Sequence, residues 1–95
     1  MVTKATKTRY ELVLFDDDHN HVDFIVNLVG GVLGYDTTQA HNCALLIHRL
    51  GQYVVSRYDG DDLLCAQNHV ELFNANGIKA ELRDLRPNKK LLNAE

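Results

Sequence analysis

Tryptophan is absent from this chain, and proline and serine occur once each, at Pro87 and Ser56. With no proline before position 87, no proline-rich linker divides the sequence, and its 95 residues are the length of one domain. Ser56 lies in a β-rich run without a G-x-S-x-G context, so a hydrolase-type serine nucleophile has no candidate. Cysteine is scarce as well. Cys43 and Cys65 fall inside helical patterns, lack C-x-x-C spacing and read as free, buried thiols of a reducing cytosol. There is no P-loop and no G-x-G-x-x-G, and the expectation is a protein that is not an enzyme. Basic residues are not in excess: ten Lys and Arg against thirteen Asp and Glu give a formal charge of −3, which argues against phosphate-driven nucleic-acid binding. The longest apolar stretch, Phe24 to Leu33, is interrupted by Asn27, Gly30 and Gly31, so no membrane span is expected. The opening MVTKATKTRYE has no apolar h-region, which predicts no secretory signal and a cytoplasmic location.

What is present is ordinary globular composition, 45% hydrophobic and 24% charged. A chain of this length buries roughly 65% of its unfolded surface, enough for one modest core without metal or disulfide. Residues 1–9 are rich in Lys and Thr and read as a flexible arm, 10–86 as the folded domain, and 87–95 as a tail. Tyr10 to Phe15 is a strand stopped by three aspartates. His21 to Leu33 repeats apolar residues at Val22, Ile25, Val26, Val29 and Val32 or Leu33, a helix ended by Gly34. Asp36 and Gln39 form a capping box for a second helix, which ends at Gly51. Gln52 to Tyr58 is a strand, and Asp59 to Asp62 place acids at the start of a third helix that buries Leu63, Ala66, Val70 and Phe73. Ile78, Ala80 and Leu82 alternate with charged residues in a last strand. The order β-α-α-β-α-β, with one apolar face per strand, predicts an α+β open sandwich. Three helices pack on one face of a three-stranded antiparallel sheet.

The densest polar chemistry is Asp16-Asp17-Asp18-His19-Asn20-His21, between the first strand and the first helix. Adjacent carboxylates repel unless a cation is near. Three readings stay open: a solvated loop that caps the helix, a small metal site, or a site that recognises an organic cation. An EF-hand is excluded, because His21 stands where the loop needs Gly and Asn27 where it needs the bidentate Glu. A zinc site lacks a spaced Cys or His to complete it, so no metal and no cofactor are expected. His48 is the one polar residue on a helix face otherwise made of Cys43, Ala44 and Ile47.

Tyr10 to Leu14, the Asp17-Asp18 pair, Phe24, Gly34 to Asp36, Ala40, His48 and Gly51 together resemble the ClpS adaptor family, over Tyr10 to Leu85. The resemblance implies an adaptor that delivers N-degron substrates to a Clp AAA+ unfoldase–protease. By position it implies that Asp16, Asp17, Asp18 and His48 hold the α-ammonium of the substrate. It places Asn20, Val22, Ile25, Ala44 and Ile47, with Ala80 or Leu82, around the first side chain. It also implies docking to the N-terminal domain of a ClpA- or ClpC-like ATPase through the start of the third helix, at Asp61 and Ala66, with the protein a monomer. Where the family usually has Asn, Thr, Met and Met, this chain has Asp16, Asn20, Val22 and Ala44, and Ala66 replaces a usual lysine. The competing classes are a diverged adaptor that docks the ATPase without reading N-termini, and a small metal-binding domain.

Overall fold

The computed structural model describes residues 8–85, which form β1 (Thr8–Phe15), α1 (Val22–Leu33), α2 (Thr37–Leu50), β2 (Gln52–Asp59), a 3-10 turn (Gly60–Asp62), α3 (Leu63–Ala75) and β3 (Ala80–Asp84). The expected arm at 1–7 and tail at 87–95 lie outside the described residues. Thr8 and Arg9, expected in the arm, instead extend β1. Thr8 pairs with Asp59, and the Arg9 carbonyl accepts from the Leu85 amide at 2.8 Å. Backbone pairing wins here over a polar local composition.

The sheet order is β2-β1-β3, antiparallel on both sides of β1. Leu12 opposes Leu82 and Leu14 opposes Ala80, so β1 and β3 present one apolar face. On β2 the pairing slips by one residue, from Leu12 with Ser56 to Val13 with Val54. That bulge changes the parity of the strand, so Tyr53, Val55 and Tyr58 all join the same core. All three helices cover this face, contributing Ile25 and Val29, then Ala40, Cys43, Ala44 and Ile47, then Ala66 and Phe73. The β-α-α-β-α-β sandwich is the arrangement expected. One strand departs from the one-sided pattern. Val13, outside the helical core, is also fully buried, on a face where Glu11 pairs with Arg57 at 3.4 Å.

Helix ends follow local chemistry. The Asp36 carboxylate accepts from the Gln39 amide at 2.7 Å, capping α2. Gly34 and Gly51 adopt the left-handed conformation after α1 and α2, at φ 75° and 86°, and return their amides to Gly30 and Ile47. His21 occupies the N-cap position of α1, in extended conformation and without a side-chain cap bond, rather than joining the helix. Asp61 and Asp62 sit in the 3-10 turn, where the Asp59 carboxylate accepts from the Asp61 amide at 3.0 Å. Cys65, expected to be buried, is exposed. Ala66 and Phe73 set the inward face of α3, and Cys65 falls outside it. No helix among the described residues is long and apolar enough to cross a membrane.

Candidate functional site

The acidic loop is pinned at both ends by backbone and side-chain bonds. As β1 ends, the Phe15 amide donates to the Lys79 carbonyl at 3.0 Å and the Asp16 amide to the Gly51 carbonyl at 2.9 Å. The second bond ties the loop to the turn that closes α2. Gly51 returns its own amide to Ile47, so the last turn of α2 is fixed against the loop. The result is that Asp16 Oδ1 and His48 Nδ1 stand 3.7 Å apart, although 32 positions separate the two residues (48 − 16). The Asp16 side chain is 24% exposed and that of His48 69%. One carboxylate is thus largely sheltered beside an imidazole that water still reaches.

The rest of the loop is shaped by its own polar groups. Asp17 Oδ1 accepts from the His19 amide at 2.8 Å, an Asx-type turn, and the Asp17 carbonyl accepts from the Asn20 amide at 3.0 Å. His19 Nδ1 lies 3.8 Å from the same Asp17 oxygen. The Asn20 amide group donates to the Gly77 carbonyl at 3.1 Å, linking the loop to the turn between α3 and β3. Asn20 was expected only as a pocket residue, and its tethering role depends on a partner 57 positions away. Asp18 is exposed at the tip. Of the expected ammonium cluster, Asp16 and His48 come within 3.7 Å of each other, Asp17 is partly committed to its own turn, and Asp18 faces solvent.

The expected pocket residues divide by depth. Ile25, Ala44 and Ile47 are buried in the core, while Asn20 and Val22 are half-buried. Ala80 is buried in the same core, opposite Leu14 in the sheet. Leu82 is half-buried and packs against the same core. It lines a 510 Å³ cleft with Gln67, Val70 and Glu71, between β3 and α3. A second cleft of 420 Å³, lined by Asn42, Leu45, Leu46, Arg49 and Tyr53, runs between α2 and β2.

At the start of α3 the expected docking pair separates. Asp61 is exposed, but Ala66 is fully buried against the core and presents no surface. What α3 shows beside Asp61 is Asp62, Cys65 and Leu64, the last 71% exposed. The Asp62 carboxyl is pushed above the usual range, first by the Asp59 carboxylate and then by desolvation, an Asp59 hydrogen bond and Asp61. Elsewhere, burial pushes up the Cys43 thiol and the Tyr58 phenol. No group of three or more His, Cys, Asp or Glu among the described residues is placed to hold a metal ion.

Comparison with known proteins adds two findings. Residues 5–81 match the family model described as ATP-dependent Clp protease adaptor protein ClpS. Among solved structures, Agrobacterium tumefaciens ClpS2 bound to L-phenylalaninamide superposes with a TM-score of 0.67 at 19% identity, covering 81% of this chain and 96% of that one. At that identity the likeness is one of fold. A search of curated proteins finds no matching relative.

Proposed function

This chain belongs to the ClpS family of Clp protease adaptors, and on that premise we propose that it binds the free α-amino group and apolar first side chain of N-degron substrates and brings them to a ClpA- or ClpC-like ATPase. The observation that carries this reading is the 3.7 Å approach of Asp16 to His48 beside a loop of further acids. That distance is too long for a direct hydrogen bond. It suits two acceptors that share one donor, each reaching an ammonium nitrogen about 2.8 Å away. An ammonium has three N–H donors and needs about three acceptors converging on it. Asp16 supplies a carboxylate, His48 a neutral imidazole nitrogen, and Asp17 or Asp18 a further carboxylate oxygen.

The same chemistry rejects other ligands. An acetylated N-terminus or an internal peptide bond offers a single neutral N–H and leaves acceptors unpaired. The first side chain enters at the rim made by Asn20 and Val22, over Ile25, Ala44 and Ile47. ATPase docking falls to the exposed start of α3, with Asp61 as its charge and Leu64 as its apolar contact. The ClpS2 structure was solved with L-phenylalaninamide, a ligand with a free amine and an apolar side chain, which supports the reading by analogy. Titration with two peptides that differ only in N-terminal acetylation tests it. Binding of the free form and loss on acetylation is expected, and equal affinity for both sinks the proposal.

A further inference from the structure

One cluster of reactive side chains lies outside the acidic loop. On α3, Cys65 and His69 occupy positions i and i+4, and Cys65 Sγ lies 3.7 Å from His69 Nε2. The other ring nitrogen, Nδ1, is 2.8 Å from the Tyr58 hydroxyl on β2. Cys65 is exposed, His69 half-buried and Tyr58 buried. A nucleophile, a base within reach of it, and a third group that orients the base is the arrangement by which side chains activate a thiol. We propose that Cys65 is a reactive thiol, with His69 as its base and Tyr58 as the residue that positions His69, and that it exchanges with small neutral or cationic disulfides to form a mixed disulfide.

The geometry supports each role. When Nδ1–H donates to the Tyr58 hydroxyl oxygen, the Nε2 lone pair faces Cys65 Sγ. The Sγ proton moves to Nε2, and the thiolate attacks one sulfur of the disulfide. The S–S bond breaks, and the departing thiolate takes the proton back from Nε2. The products are one Cys65 mixed disulfide and one small thiol. Nδ1–H donates to Tyr58 throughout, so the ring need not turn. The Tyr58 phenol, raised above its usual 10.0 by desolvation, is neutral at pH 7.5, and accepting from Nδ1–H requires no charge on it. Cys43 is the internal contrast: it is buried and its thiol is pushed up.

Charge selects the disulfide. Asp61 and Asp62 precede Cys65 by four and three positions, one turn back, with Asp59 bonded to the Asp61 amide. These carboxylates attract a cationic disulfide and repel an anionic one. The test is the rate of Cys65 modification in the intact protein at pH 7.5, followed by peptide-resolved mass spectrometry. Cystamine (dicationic) and dithiodiglycolate (dianionic) are the probes. Cystamine is expected to react at least tenfold faster, a preference that shrinks in high salt. His69→Ala and His69→Gln are expected to slow the cystamine reaction about tenfold. Tyr58→Phe, which keeps the ring and removes the hydroxyl, is expected to slow it several-fold. Wild-type rates in all three variants, or equal rates for the two probes, would overturn the proposal.

Discussion

Replacing Asp16 with asparagine removes one charge and keeps the shape of the side chain. Asn is the residue this family usually carries there, so the fold should accept it. The loop's anchorage at this point is the Asp16 amide donating to Gly51, which the substitution leaves intact. The expected loss is therefore in ligand affinity rather than in stability. Its size follows from how covered the carboxylate is. A unit charge pair at about 4 Å is worth about 1 kcal/mol in bulk water and about 4 kcal/mol at an effective dielectric of 20. With its side chain 24% exposed, Asp16 sits between these limits. Desolvation of the incoming ammonium takes back part of the attraction. We expect a net loss of about 1–2 kcal/mol, a 5- to 30-fold rise in Kd for a Phe-initiated peptide. Calorimetric titration of wild type and Asp16→Asn, repeated at low and high salt, measures it. The difference should narrow as salt rises. An unchanged Kd, or a loss insensitive to salt, would refute an electrostatic role for this carboxylate.

Three further outcomes follow from the same structure. Asn20→Ala removes the bond to Gly77 and should lower stability by about 1 kcal/mol, read as a fall of about 4–8 °C in Tm; an unchanged Tm would mean the tether contributes nothing. Folding raises the Cys43 thiol and the Tyr58 phenol above 9.0 and 10.0, so the folded state holds protons that the unfolded chain releases. Stability should be full below pH 9 and fall as pH rises through 9 and 10, and Cys43→Ala should flatten the first part of that decline in urea titrations. The family resemblance implies a methionine where this chain has Val22, so under the proposed function peptides starting with Ile or Val should bind within about tenfold of those starting with Leu or Phe. Val22→Met should restore discrimination by clashing with the branched β-carbon, and a hundredfold Leu-to-Ile gap in the wild type excludes this account.

Features governed by nearest neighbours were readable in advance. The Asp36 cap and the two glycine stops depend on bonds spanning three or four residues, and those residues carry the signal themselves. The phase of α3 was readable too, since Leu63, Ala66, Val70 and Phe73 recur at helical spacing and all four pack on the core. The burial expected of Cys65 rested on residue type instead, and that spacing leaves Cys65, like Leu64, off the inward face. The β2 bulge is non-local, since an extra residue is defined only against the strand it pairs with. The site shows the same division. Three aspartates in a row are visible to any reader, but the meeting of Asp16 with His48 depends on an amide reaching across to Gly51. Only the resemblance to a known family anticipated that pairing.

The first strand of the domain is its middle strand, and this sets the order in which the molecule can assemble. β1 cannot complete either of its ladders from nearby sequence. Its partner in β2 follows two whole helices, and Tyr10 meets Asp84 only after 74 intervening steps along the chain (84 − 10). The helices can form early from local contacts, but the surface they are meant to cover does not exist until the last strand arrives. Contact order of this kind slows the rate-limiting step and makes it concerted. While a nascent chain waits, Leu12, Val13 and Leu14 are an unpaired apolar segment of high β-propensity, the type most prone to stray association. The triple aspartate that follows them therefore has a second consequence before any ligand is met: it flanks that segment with charge during the interval when it is unprotected.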